Sequence, residues 1–154
     1  MEKLNLPAFD IKVTTSQGKG YVFDPLRKKR VRLTPEEWVR QHFINYLIHH
    51  LGYPPSLMKL EASAYLQHNI SQRRVDMLIF DNQQGKPLML VECKATHQPI
   101  HAPALRQISH YNTLFKAPFL TLTNGIQHLC YHIHHDSQSY TRLPYIPPFD
   151  TLNS

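Results

Sequence analysis

The sequence predicts a mixed α/β domain built on one central sheet, and three observations carry that expectation. A capped helical stripe begins at Thr34. Three strand-like segments follow it without an intervening helix. A second helical segment, opened by Pro103, then leads to one more short apolar strand. The order helix, three strands, helix, strand lets the first three strands form a meander and makes the second helix a crossover to the fourth.

Each element has its own signal. Residues 1–33 read as a lead-in, with short strand-like pieces at 11–13 and 20–23 around a Gly18-Lys19-Gly20 turn. Its basic run, Arg27-Lys28-Lys29-Arg30-Val31-Arg32, is either a solvated connector or a phosphate-contacting arm. In Thr34-Pro35-Glu36-Glu37, Thr34 suits the N-cap, Pro35 the first helical position, and Glu37 the far side of a capping box. Trp38, Phe43, Leu47, Ile48 and Leu51 continue as an apolar stripe, which Gly52 and Pro54-Pro55 stop. His49 and His50 at that end fit the helix dipole better than catalysis.

Strands are expected at 56–65 and 73–80. In the second, Val75, Met77 and Ile79 should share one face, and Arg74, Asp76, Leu78 and Phe80 the other. Residues 81–86 form a turn ending in Gly85-Lys86. Segment 87–95 is apolar at both alternations until Glu92, as a strand covered on both sides would be. Leu105, Ile108 and Phe115 mark the apolar side of the second helix. A strand at 118–123, an Asn124-Gly125 turn and a hairpin of 127–134 with 139–143 follow. The Pro-rich stretch from Pro144 is expected to be irregular. The division that results is a lead-in at 1–33, a domain at 34–145 and a tail at 146–154.

Composition narrows the class. The chain has 154 residues, 42% hydrophobic and 18% charged, which is ordinary for a globular domain. That length leaves no room for a helicase motor, a polymerase or a second large domain. Seventeen Lys and Arg against 11 Asp and Glu give a net charge of +6, so a polyanionic partner is expected. Two cysteines make no disulfide framework and point to a reducing compartment. With no secretory signal and no apolar run near 18 residues, no membrane partner is expected, and the cytoplasm is the default location.

The chemistry is concentrated in Asp76 and Val91-Glu92-Cys93-Lys94. Glu92 and Lys94 are two apart on a strand and so leave the same face. Their segment is otherwise Leu88, Met89, Leu90, Val91 and Ala95. Charges in such a strand are costly unless they pair or bind something. Asp76 is on the preceding strand, within reach of Glu92 if the two strands pair across the 81–86 turn. Two carboxylates and a lysine suit Mg²⁺, which takes hard oxygen ligands, keeps several waters and can add the Cys93 backbone carbonyl. Lys94 would then sit beside the attacking water in a metal-assisted phosphodiester hydrolysis. The structural alternative is a buried Glu92–Lys94 ion pair.

Asp76, the 15 residues after it, and Glu92-Cys93-Lys94 resemble the PD-(D/E)xK nuclease superfamily. Three further segments resemble the N-terminal nuclease region of type I restriction enzyme R subunits and the small stand-alone proteins grouped with it. They are Phe23-Asp24-Pro25-Leu26-Arg27-Lys28-Lys29, Leu33-Thr34-Pro35-Glu36-Glu37-Trp38-Val39-Arg40-Gln41 and Thr123-Asn124-Gly125. The likeness covers roughly residues 20–145. It implies a restriction-endonuclease-like αβββαβ core, a central mixed sheet flanked by helices, here with a C-terminal hairpin. It implies Asp76 and Glu92 as ligands of Mg²⁺ (with Mn²⁺ able to substitute) and Lys94 as the catalytic lysine. Glu37 matches an acidic residue near the metal, with Glu36 as the alternative. Gln107 and Tyr111, four apart on one helix face, match a Gln-x-x-x-Tyr motif near the substrate phosphate.

The sequence departs from the family in two ways. Val75 stands where the superfamily has Pro. No G-x-x-x-x-G-K-[ST] loop exists, so ATP-driven translocation does not carry over.

The expected function is a Mg²⁺-dependent deoxyribonuclease, an endonuclease, working on DNA as a homodimer or within a larger restriction-type complex. Arg73, Arg74, Lys28, Lys29 and Arg30 are candidate phosphate contacts. Two alternatives stand beside it: a catalytically quiet nucleic-acid-binding module within a larger complex, and an interaction domain in which Glu92–Lys94 is only structural. His128, Cys130, His132 and His134 alternate on one strand face, but neighbours on a straight strand rarely close a zinc tetrahedron, so a solvated polar face is expected. No G-x-S-x-G elbow supports a serine hydrolase.

Overall fold

The computed structural model describes residues 2–66 and 69–152, with the side chains of 63–74 outside that description. A six-stranded sheet has the order β4-β5-β6-β7-β8-β9, formed by β4 (Met58–Leu66), β5 (Asn69–Phe80), β6 (Pro87–Cys93), β7 (Phe119–Thr123), β8 (His128–His134) and β9 (Ser139–Leu143). All neighbours are antiparallel except β6 and β7, which run parallel. A parallel pair needs a long crossover, and α2 (Ala102–Phe115) supplies it. With α1 (Pro35–His49) before the sheet, the order helix, three strands, helix, strand is as expected, and β8–β9 is the closing hairpin.

The central strand shows why the sheet needs a helix on each side. Met89, Val91 and Cys93 of β6 pack with Val39, Phe43 and Leu47 of α1. Leu90, between them, packs with Ile108 and Tyr111 of α2 and with Leu120 and Leu122 of β7. Each such aliphatic side chain contributes roughly 1.5–3 kcal/mol by leaving water. Glu92 and Lys94 share the Leu90 alternation and therefore emerge on the α2 side.

The expected alternation on β5 fails at one place. Met77 and Ile79 lie on the α1 side, but Val75 joins Leu78 on the α2 side. The change of face falls where the β5–β6 ladder ends: its last pair toward this end is Met77↔Val91. Opposite, in β4, Glu61 has a left-handed backbone (φ 53°). β5 stays paired with β4 beyond that point (Ala62↔Val75), Ala62 and Val75 both facing α2, while Asp76 turns toward Arg40 of α1.

The lead-in is more ordered than its sequence suggested. β1 (Val13–Ser16), β2 (Lys19–Asp24) and β3 (Lys29–Arg32) form a separate antiparallel sheet. The first turn is Gln17-Gly18, both at positive φ, as a two-residue hairpin of matching twist requires. Val22 and Asp24 are buried beneath it.

The C-terminal stretch also corrects an expectation. After the irregular 144–148 a short helix, α3 (Phe149–Leu152), follows, and Ile146 and Phe149 complete the α1-side core. The buried Tyr53 hydroxyl donates to Pro147 O at 2.7 Å, and the Tyr53 and Phe149 rings meet edge to face.

Thr34 caps α1 by accepting from Glu37 N at 3.0 Å. The return half of the capping box is not made, because the Glu37 carboxylate is engaged elsewhere. Gly125 (φ 86°) turns the chain from β7 to β8 so close to Leu4 and Val39 that a Cβ would stand 2.9 Å and 3.1 Å from their methyl groups. Among the described residues no helix is long and apolar enough to cross a membrane.

Candidate active site

Asp76 and Glu92 come together where the β5–β6 ladder ends. The peptide N–H of Cys93 there donates to Asp76 Oδ2 at 2.7 Å. The Glu92 carboxyl lies close enough to Asp76 to feel its charge. Burial, and then the adjacent Asp76 charge, push the Glu92 carboxyl up to about 8. Two carboxyls this close cannot both ionise without a compensating cation.

One compensating charge comes from within. Arg40 of α1 donates to Asp76 Oδ1 at 2.7 Å, to Glu36 Oε1 at 2.9 Å and to Glu37 Oε1 at 2.8 Å. Burial alone would weaken the guanidinium charge, but Asp76 and Glu37 outweigh it and hold Arg40 above its ordinary value. Among the described residues its Nε, which is buried, has no hydrogen-bond partner. Behind it, Glu37 also accepts from Arg27 at 2.7 Å and from Gln41 at 3.2 Å. Arg27 in turn binds the fully buried Asp24. Arg27 is thus a structural tie from the lead-in sheet to α1 and not part of a free basic arm.

Glu37 therefore meets Asp76 through Arg40, which bridges the two carboxylates. Glu36 is the acidic residue with the more direct view of the site. Burial first, and then Asp76, raise its carboxyl, while Arg40 and Lys94 pull it down.

The α2 side completes the arrangement. Glu92, Lys94, Gln107 and Tyr111 line one small cleft of about 40 Å³, with Val75, Ala104 and Ile108 as its apolar walls. Lys94 Nζ is 3.9 Å from Glu92 Oε1, and both side chains keep some exposure, 28% and 21%. The two form an ion pair at a distance too long for a hydrogen bond and partly open to solvent.

The remaining sequence candidates are scattered. The Cys93 side chain is fully buried on the α1 side, away from Glu92. Lys28, Lys29 and Arg30 are exposed on the lead-in sheet. Arg73 and Arg74 are on β5, with side chains outside the described residues. The His128 face is only partly a solvated polar surface: Cys130 is in the core and His128 stacks on Phe43, whereas His132 and His134 keep partial exposure. His128 is also held by Thr123 and the Asn5 carbonyl. Among the described residues no three His, Cys, Asp or Glu side chains form a metal cage.

Sequence reasoning missed Arg40. An Arg four residues after Glu36 looks like an ordinary surface pair. The signal was its place beside Val39, Phe43 and Ile44, within the buried side of the helix.

Comparison with known proteins adds a family. A family model for the type I restriction enzyme R protein N terminus matches residues 35–147. No curated protein matches the chain. Among solved structures, a chain described as a fragment of an HsdR subunit of a type I restriction enzyme from Vibrio vulnificus YJ016 superposes with a TM-score of 0.57 at 18% identity. The superposition covers 78% of the present chain and 24% of the Vibrio chain. The present chain thus spans about a quarter of that fragment, and the likeness is one of fold.

Proposed function

Because the chain belongs to the family of type I restriction enzyme R protein N termini, we propose that it is a metal-dependent deoxyribonuclease domain with a restriction-endonuclease-like core, cutting DNA as an endonuclease. The observation that carries this reading is the convergence of Asp76 and Glu92 beside the Lys94 cleft. Burial and then the Asp76 charge raise the Glu92 carboxyl there to about 8, a cost that a bound cation would relieve.

The donor set fits Mg²⁺, or Mn²⁺ in its place. The carboxylates are hard ligands, and each Asp76 oxygen keeps a lone pair beyond the one hydrogen bond it accepts. Two carboxylates without a full protein cage suit an ion that leaves positions to water and substrate phosphate. Asp76 and Glu92 would hold it, with the Cys93 carbonyl as a further ligand. Such an ion supplies positive charge to the phosphate and acidifies its water.

The chain's own residues do the rest. Arg40 and the Cys93 N–H fix both oxygens of Asp76, so the carboxylate is preorganised. Lys94 stabilises the charge that develops on the phosphate as water forms the new P–O bond and the bond to the leaving sugar oxygen breaks, that oxygen taking up a proton. Gln107 and Tyr111 position the strand in the same cleft. Lys28, Lys29 and Arg30, with Arg73 and Arg74, add phosphate contacts independent of sequence. A homodimer or a restriction-type complex would supply the second cut of a duplex.

A second reading has its own observation. Arg40 already gives Asp76 a counter-charge at 2.7 Å, so the site can persist as a quiet nucleic-acid-binding module. Cleavage of mixed DNA substrates in Mg²⁺ or Mn²⁺, with wild type beside Lys94→Ala and both folded by circular dichroism, decides between them. Cleavage by wild type alone, abolished by EDTA, supports the nuclease. Binding without cleavage by either protein supports the quiet module.

A further inference from the structure

The net positive charge of this protein comes from one segment. Residues 11–33 hold seven Lys and Arg against a single acid, Asp24, a net of +6, which equals the net charge of the whole chain. Asp24 is fully buried and neutralised by Arg27. The sheet of β1–β3 therefore shows solvent a positive surface with no exposed acid on any of its strands.

One face of that sheet is also aromatic. In the β2–β3 register Tyr21 faces Arg32 and Phe23 faces Arg30. Cross-strand partners point the same way, and residues two apart share a face, so all four project from one side. Val22 and Asp24 point to the other side, into the protein. Phe23 is 61% exposed. Arg30 is already flattened against Tyr21, its guanidinium 4.9 Å from the ring centroid, and its Nη2 is held by Thr14 at 3.1 Å. Planar cations and rings are thus alternated and partly preordered on an open, uniformly positive sheet.

We infer that this outer face, built on Tyr21, Phe23, Arg30 and Arg32, is a binding platform for single-stranded nucleic acid, distinct from the Lys94 cleft. Single strands match both features together: bases stack on exposed rings and on arginine planes, while phosphates meet the cations. A duplex hides its base faces and offers only phosphates to such a surface. The platform does not require a metal, because none of its residues belongs to the Asp76–Glu92 site.

The test is fluorescence anisotropy of a labelled oligothymidylate with the full chain in EDTA, where cleavage plays no part. Phe23→Ala should weaken binding at least about fivefold, Phe23→Trp should restore it, and Tyr145→Ala, an exposed aromatic elsewhere (68%), should leave it unchanged. Arg30→Gln with Arg32→Gln should flatten the salt dependence by about 1.4 in log–log slope. An oligouridylate arm distinguishes RNA from DNA, and binding of either through Phe23 supports the platform. The inference is overturned if Phe23→Ala binds like wild type. It is equally overturned if a duplex of the same length, or phosphatidylserine vesicles, bind as tightly and with the same indifference to Phe23. Cleavage in Mg²⁺ is read separately, so loss of one function leaves the other measurable.

Discussion

Arg40 on the first helix donates a 2.7 Å hydrogen bond to Asp76 on the sheet, and both side chains are about nine-tenths buried. The pair joins the element that carries the acidic first turn to the strand that carries the candidate metal ligand. Removing one partner of such a pair leaves a buried, uncompensated charge.

Arg40→Gln should therefore destabilise the fold by about 3–5 kcal/mol in urea unfolding, because it strands Asp76 and Glu37 together. Adding Asp76→Asn to Arg40→Gln should recover part of that loss. Strictly additive costs in the double-mutant cycle would show that the two groups are not coupled.

Glu92 gives the site a pH dependence whose sign is fixed by its environment. Its folded-state carboxyl is raised from the ordinary 4.5 to about 8, so the fold favours the protonated form. In metal-free protein its contribution is fully present below about 4.5 and is lost as pH rises through about 8, on the order of a few kcal/mol. Glu92→Gln should flatten that slope. Binding of Mg²⁺ needs the ionised form, so calorimetric affinity should rise from pH 6 to 9 with proton release on binding. A pH-independent affinity would remove Glu92 from the ligand set.

Much of the site was legible because Glu92 and Lys94 interrupt an apolar strand, where charge is costly. The partners of Asp76 were not. Asp76 meets Arg40 just beyond the last β5–β6 pair, Met77↔Val91, where Val75 and Asp76 depart from the faces that strict alternation gives them. Asp24, Arg27, Glu37, Arg40 and Gln41 all lie in two of the three segments quoted for their resemblance to R subunits, 23–29 and 33–41. In this chain those segments build one buried ion network, which spacing within either segment alone does not disclose. Prolines at 144, 147 and 148 in the same way masked the core positions Ile146 and Phe149.

Phe149→Ala tests whether that tail is part of the folding unit. Phe149 is 5% exposed and meets Tyr53, itself 1% exposed, at 5.4 Å. Truncating the ring should cost about 3–5 kcal/mol. Tyr53→Phe, which strands the Pro147 carbonyl, should cost about 1–3 kcal/mol. Both are read as shifts of the denaturation midpoint at constant slope. A Phe149→Ala protein as stable as wild type would make the tail an appendage.

Lys94→Ala separates catalysis from stability. The Lys94–Glu92 contact is long and partly exposed, 3.9 Å with 28% and 21% of the side chains accessible, so its loss should change stability by no more than about 1 kcal/mol. Its effect on the reaction should be much larger, because Lys94 shares a cleft with Glu92, Gln107 and Tyr111 and supplies charge where the phosphate gains it. Cleavage should fall by about 10² or more at unchanged melting temperature, the usual scale for losing one preorganised group at a developing charge. Gln107→Ala should act on substrate binding instead, raising KM with kcat largely retained. If Lys94→Ala unfolds the protein, or cuts as fast as wild type, the lysine is structural or idle, and the nuclease reading loses its catalytic group.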